Sequence, residues 1–442
     1  MKNILKAIYS IKFYLKNITW DIGEKILRLV ISFFTTILLA RYLGPDKFGV
    51  FSYSLSLIGL FQVFGHLGLS GIIIRELVSN RNYENKILGT SFFLKLGGYI
   101  LAIIFLFIFT LFTEEYNSDT FWISTILSLT FLFRPFEVLD FWFKSHVLAK
   151  YNFQAQTLAL LIGTIIKVCL LFLSTSLIFF AFANLTEALL LALGLLFFFF
   201  KLFKSKKIKL KFSFILAKQL MLNGWKVFAG SIFAVLYLKM DQIMLKWYLG
   251  TEAVGVYSVA SRISEVWYFF PSAILMSFFP KLINIKKENS SLYQERIQQL
   301  LDTMFIMALI LSLLINVSAK PLITLFFGEL YITSIPILTI HIWASIFIFM
   351  REVFSKWLLI ENFLEYSIIT QGIGAISNIA LNFWLIPIYG VKGAAFATLI
   401  SYSFASYFSL FLFKKTRPMF FMMSKSMFVL RKPWISKIIS TK

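Results

Sequence analysis

The sequence predicts an all-α integral membrane protein of about twelve transmembrane helices, arranged as two parallel six-helix lobes. Three observations carry that prediction. Hydrophobic residues make up 59% of the chain and charged residues only 14%, whereas soluble domains are about 45–50% apolar and about 25% charged. Apolar runs long enough to cross a bilayer recur from end to end. Those runs fall into two ordered copies of one pattern.

At about 20 residues per crossing, the first six spans fall at 19–40, 48–70, 88–112, 119–143, 155–174 and 177–200. The second six fall at 219–245, 253–279, 298–318, 333–357, 364–387 and 391–413. Too little chain is left between them for a sizeable aqueous domain. Lysine and arginine gather in alternate connections: the N-terminus, Arg75 to Lys86, Lys144 and Lys150, seven lysines from Lys201 to Lys218, Lys281 to Arg296, Arg351 and Lys356, and the C-terminal tail. The other connections are nearly bare, with none between Glu114 and Asp119 or at Ser174–Ser176. Retained positive charge marks the cytoplasmic side, so both termini are expected there.

The parts outside the spans are basic. Residues 1–18 carry lysines at 2, 6, 12 and 16, which leaves no uninterrupted core for a signal peptide. An amphipathic helix on the inner leaflet is the expectation, with a disordered tail as the alternative. Residues 201–218 read as a cytoplasmic linker between lobes at 1–200 and 219–413, and 414–442 as a cytoplasmic tail that would rest on anionic membrane lipids. The formal charge of +22 sits mostly in these loops and tails, so a lipid surface rather than nucleic acid is the expected partner.

The repeat starts from RYLGPDKFGVFS at Arg41–Ser52 and WYLGTEAVGVYS at Trp247–Ser258, identical at six of twelve positions and offset by 206. AKYNFQAQ (149–156) and LEYSIITQ (364–371) follow at an offset of 215, and AFANL (181–185) and AFATL (395–399) at 214. Six spans per copy is an even number, so both copies enter the membrane from the same side. Within the motif, Tyr42 and Tyr248 suit an interface, and Gly44 and Gly250 with their polar neighbours suit a tight turn between the first two spans of each half. The motif reads as a structural hairpin rather than a substrate contact.

RYLGPDKFGVFSYSLSLIGLF followed by GLSGIIIREL resembles the start of the Wzx-type oligosaccharide flippases, within the multidrug/oligosaccharidyl-lipid/polysaccharide (MOP) exporter superfamily, whose MATE branch exports drugs. DQIMLKWYLGTEAVGVYSVASRISE, Phe278–Pro280 and ALNFWLIPIYGVKGAAFATLIS are similar to that family's second half. The resemblance runs from about Trp20 to Phe413 as a pattern, with no catalytic motif in it. It implies two six-helix lobes around an alternating-access cavity, in the cytoplasmic membrane of a bacterium. It also implies a substrate of undecaprenyl-pyrophosphate type carrying an oligosaccharide repeat unit, moved from the inner to the outer leaflet. A polysaccharide polymerase or ligase would then be the downstream partner.

Charges inside spans are expensive and so are functional candidates. Asp21, Glu24, Lys25 and Arg28 share one helix face, stacking Glu24 on Arg28, and Arg28 either stabilises the helix or lines the inner mouth of a cleft. Arg134, Glu137, Asp140 and Lys144 beside Pro135 read as a cytoplasmic ion network. Lys95 lies close enough to an end to snorkel. Lys167 sits about 18 Å from the inner end at the helical rise, and its repeat partner is Asn382. Arg262 and Glu265, three apart, form either a structural pair or a cavity pair. Arg28, Lys167 and Arg262 are thus the candidate cations for a pyrophosphate, guanidinium suiting it bidentately. Glu187, Asp241 and Glu265 are the candidates for carrying a coupling proton or sodium.

Several classes are disfavoured. Cys169 is the lone cysteine and reads as a small core residue, and three scattered histidines show no metal-ligand spacing. No cofactor or metal is expected. No GxxxxGK[ST] loop occurs. A multidrug cation exporter would want acidic walls, against the cationic candidates. A membrane polymerase or ligase would need an outer cluster of catalytic groups, and the expected outer loops are too short. The protein is expected not to be an enzyme.

Overall fold

The structure, a computed structural model, describes residues 2–116, 118–202 and 210–428, with side chains from residue 19 onward. The side chains of residues 1–18, which carry the amphipathic expectation, lie outside the described residues, as do 203–209 of the basic linker and 429–442 of the tail. Among the described residues every regular element is helical. In hydrocarbon a lone helix satisfies its own backbone, which no open strand can do.

The chain divides into two compact units, 1–235 and 236–442. The first holds α1 (Lys2–Phe61), α2 (Val63–His66), α3 (Ser70–Ser79), α4 (Glu84–Thr113), α5 (Asp119–Ser128), α6 (Val138–Ser145), α7 (Ala149–Phe172) and α8 (Leu177–Leu202). It also takes the first half of α9 (Phe214–Leu249). The second holds the rest of α9, then α10 (Thr251–Glu265), α11 (Phe269–Glu288), α12 (Ser290–Phe326), α13 (Ile335–His341), α14 (Ala344–Glu361), α15 (Leu364–Tyr389), α16 (Val391–Ser403), α17 (Ser409–Leu412) and α18 (Arg417–Met427).

The division inside α9, rather than in the 201–218 segment, has a packing cause. Gly68 presses against the α9 backbone so closely that a Cβ there would sit 2.6 Å from the amide nitrogen of Phe228. Just upstream, Lys211 donates its amide to the Asn85 carbonyl and Ser213 donates its amide to Thr90 Oγ1.

Nine helical stretches among the described residues are long and apolar enough to cross a bilayer, and two broken ones, 119–145 and 329–361, bend by 42° and 46°. The first of the nine, Thr19–Ser79, doubles back at Gly44 (φ 72°, ψ 171°). Arg28 and Ile58 line one cavity from either side of that glycine, which a straight helix forbids at 1.5 Å per residue. The described residues therefore hold the twelve expected crossings. Four of them are interrupted where continuous runs were expected: after Leu67, at Leu129–Glu137, at Val266–Tyr268 and at Glu329–Trp343.

The backbone repeats as the sequence does. Gly250 (φ 84°, ψ −175°) reproduces Gly44, and the left-handed residues Val147 and Asn362, both at φ 58°, stand 215 apart. Each of that pair ends its helix alike: Leu148 donates its amide to the Phe143 carbonyl at 2.8 Å, and Phe363 to Leu358 at 2.9 Å, the six-residue Schellman closure. Tyr42 and Tyr248 also match, 39% and 40% exposed.

Two expectations are corrected. Cys169 is exposed rather than a core residue, because α7 turns that face outward with Ile162 and Ile165. Lys95 is fully buried and does not snorkel, because a carboxylate from another span meets it inside the unit.

Candidate functional site

The first unit encloses a polar cavity of about 270 Å³. Chain interruptions build it: 3-10 turns at Leu129–Leu132 and Arg134–Glu137 flank Phe133 and replace regular helix. Pro135 lacks the amide that would continue the ladder. The break turns Thr130, Arg134 and Glu137 toward the cavity, where Arg28, Gln156, Asn184 and Glu187 meet them.

Its carboxylates are each backed by a lysine. Glu137 Oε1 accepts a hydrogen bond from Lys95 Nζ and another from Tyr99 OH at 3.1 Å. His66 Nδ1 lies 3.6 Å from the same oxygen. Asp140 pairs with Lys144 at 2.8 Å, and Glu187 Oε2 with Lys167 Nζ at 2.7 Å. Arg28 donates to Glu24 at 2.7 Å and to the Gln156 side-chain oxygen. Arg134 is exposed to the cavity and makes no ion pair among the described residues. The three carboxylates are neutralised from behind and Arg28 is paired with Glu24, which leaves Arg134 as the guanidinium at the cavity without an ion pair among the described residues.

The second unit holds a different centre. Asp241, on α9, is 3% exposed. Its Oδ1 accepts from Asn378 Nδ2 at 2.8 Å and Asn382 Nδ2 at 2.6 Å, and its Oδ2 from Tyr257 OH at 2.7 Å and from Thr398 Oγ1. These donors are neutral, and no cation lies within ion-pair distance of Asp241 among the described residues. Asn378 and Asn382 are four apart on α15, so one helix face delivers both amides. Asn382 Oδ1 is a buried acceptor with no partner among the described residues, and Asn382 Nδ2 also donates to Asn378 Oδ1 at 3.1 Å.

The candidate residues thus separate into two groups. Arg28 lines the cavity, Glu187 lines it, and Lys167 reaches it only through Glu187. Arg262 is exposed in the second unit, with Glu265 and Asp241 in electrostatic reach of the same Lys239; Arg262 and Glu265 form no ion pair among the described residues. Asp241 stands at the neutral polar centre. Sequence reasoning passed over Tyr257, Asn378 and Thr398, although the i, i+4 asparagines on an apolar helix were a readable signal. Arg134 was read into a cytoplasmic network, of which the Asp140–Lys144 pair exists.

A multi-span helical membrane protein with a charged interior cavity is the class these features define. The chain belongs to the family described as polysaccharide biosynthesis protein, which matches residues 14–286. It is 30% identical over 179 residues to the probable flippase AglR of Haloferax volcanii, covering 38% of this chain and 36% of that relative, so it matches about a third of that protein's length. It is 22% identical over 416 residues to an uncharacterized membrane protein of Methanocaldococcus jannaschii, covering 88% of this chain and 81% of that one. Among solved structures it is similar to an inward-facing multidrug resistance MATE family transporter of the MOP superfamily, with a TM-score of 0.69, 12% identity and coverage of 92% and 96% of the two chains. It is likewise similar to the lipid II flippase MurJ in an inward closed conformation, with a TM-score of 0.67, 17% identity and coverage of 96% and 93%. At those identities the structures establish a MOP-like fold.

Proposed function

We propose that the protein is a flippase of the Wzx type, which carries polyprenyl-pyrophosphate-linked oligosaccharide from the inner to the outer leaflet of the cytoplasmic membrane by alternating access. The observation that supports this most is the cavity of the first unit, where Arg134 makes no ion pair among the described residues and Arg28, paired with Glu24, lines the same space. A diphosphate is held bidentately by guanidinium, and Gln156, Thr130 and Asn184 offer the hydrogen bonds a glycan needs. Lys167 acts by keeping Glu187 neutralised, so that carboxylate does not repel the substrate. Arg262, exposed in the second unit, is the third candidate cation of this reading. A relative named a probable flippase and a family described as polysaccharide biosynthesis protein support a flippase acting in polysaccharide assembly.

The Asp241 centre is the coupling site in this reading. A buried carboxylate held only by neutral donors is costly, and that makes Asp241 the residue of this unit on which an ion gradient would act. Glu265 lies nearby as an accessory carboxylate, and Glu187, held by Lys167, is the weaker candidate.

The test is translocation of a labelled polyprenyl-pyrophosphoryl oligosaccharide in liposomes, read by its accessibility to an external glycan-modifying reagent. Arg28→Gln and Arg134→Gln should each slow it at least about tenfold, the worth of one charge-assisted hydrogen bond. Unchanged rates would refute the cationic cavity. Gradient-driven efflux of an organic cation in place of lipid movement would replace the substrate class with a drug.

A further inference from the structure

In the second unit, α11 and α12 are joined through Asn289 alone, whose side chain caps α12 by accepting the Leu292 amide at 3.0 Å. At about 10–12 Å along the helices from that turn, by the helical rise, a pocket of about 290 Å³ opens between the two. Its floor is apolar, from Phe278, Leu282 and Leu300, and its rim carries Lys281, Arg296 and Gln299.

The two rim cations differ from their neighbour. Lys286, on the same helix, is spent on Glu361. Lys281 and Arg296 make no ion pair among the described residues, and no carboxylate lines the pocket. Gln299 accepts a hydrogen bond from Arg296 Nη1 at 2.7 Å, which orients the guanidinium without neutralising it. Pro280 removes one helical hydrogen bond where the pocket begins. The pocket lies between the end of the expected crossing at 253–279 and the start of the one at 298–318, so the rim cations fall where the chain is expected to leave the hydrocarbon for the headgroups.

We propose that this pocket binds the phosphate head of an anionic glycerophospholipid, with Lys281 and Arg296 on the phosphate and the Phe278–Leu282–Leu300 floor against the acyl chain. The apolar floor is what favours a lipid over free phosphate: an ion needs the rim alone. The proposal is independent of what the transporter carries.

The experiment uses the full chain in phosphatidylcholine nanodiscs doped with phosphatidylglycerol that bears a photoreactive group in its acyl chain near the glycerol. Crosslinks mapped by peptide mass spectrometry should concentrate in residues 276–303 and be displaced by unlabelled phosphatidylglycerol. Binding should fall about fivefold for Lys281→Gln or Arg296→Gln and about twenty-five-fold for the pair, at the worth of one surface cation each. Lys287→Gln, on the same helix but outside the pocket, should leave it unchanged, and Arg296→Lys should recover most of it. Melting temperature in pure phosphatidylcholine discs reports whether each variant is folded. Crosslinks spread evenly over the lipid-facing helices, an equal loss in Lys287→Gln, or displacement by inorganic phosphate would each overturn the proposal.

Discussion

The Lys95–Glu137 pair is where a single side chain carries most weight. Lys95 is fully enclosed, and Tyr99 and His66 share its carboxylate. Lys95→Met should destabilise the folded protein by about 1–3 kcal/mol, because it leaves Glu137, half-buried at the cavity wall, without its lysine. The double variant Lys95→Met/Glu137→Leu should recover much of that, as read by thermal unfolding in detergent. Equal losses in the single and double variants would show that packing, not charge, is at stake. Asp241 makes the complementary prediction. Asp241→Asn replaces one accepting oxygen with an amide that donates, facing two of the four donors, and should abolish any dependence of translocation on a proton or sodium gradient; a retained dependence places coupling elsewhere. Sequence position gave the partners of these charges poorly. Lys95 meets a carboxylate 42 residues away on a broken span, and nothing in its neighbourhood announces that. The Glu24–Arg28 stack, four residues apart on one helix, was legible and is present at 2.7 Å.

At the scale of elements, the glycine hairpins and the ordered apolar runs were readable because they are local: a turn residue and a run of length set them. The interruptions were less so. Pro135 signals the break at 129–137, but the bend between His341 and Ala344 has no proline or glycine at it, and arises from tertiary packing. Val147 is the element-scale anomaly. It adopts the left-handed conformation that its counterpart Asn362 takes far more easily, and a β-branched residue there costs about 1–2 kcal/mol. Val147→Asn should therefore raise stability by about 1 kcal/mol, measured by denaturant or thermal unfolding; a loss would mean that the Val147 side chain packs better than its backbone is strained.

For the molecule as a whole, the fold class followed from composition and repeat: the described residues are all-helical, with nine stretches long and apolar enough to cross a bilayer, or up to eleven with the bent pairs. The alternation of lysine and arginine also makes a topological prediction. In a chain with Cys169→Ser, a single cysteine at Asn289 should react with an impermeant thiol reagent only after the cell membrane is opened, and one at Thr175 in intact cells; the reverse pattern would invert the orientation. The unit boundary was not legible, because the 201–218 segment looks like a linker in composition while the contacts that define the first unit extend past it. That extension matters for how the protein is made. The surface around Gly68 is finished only by residues 224–228, so a nascent chain released after α8 lacks a wall of its own first half. Residues 224–228 complete that wall, so the first half is whole only once the opening turns of the second copy's first helix are in place.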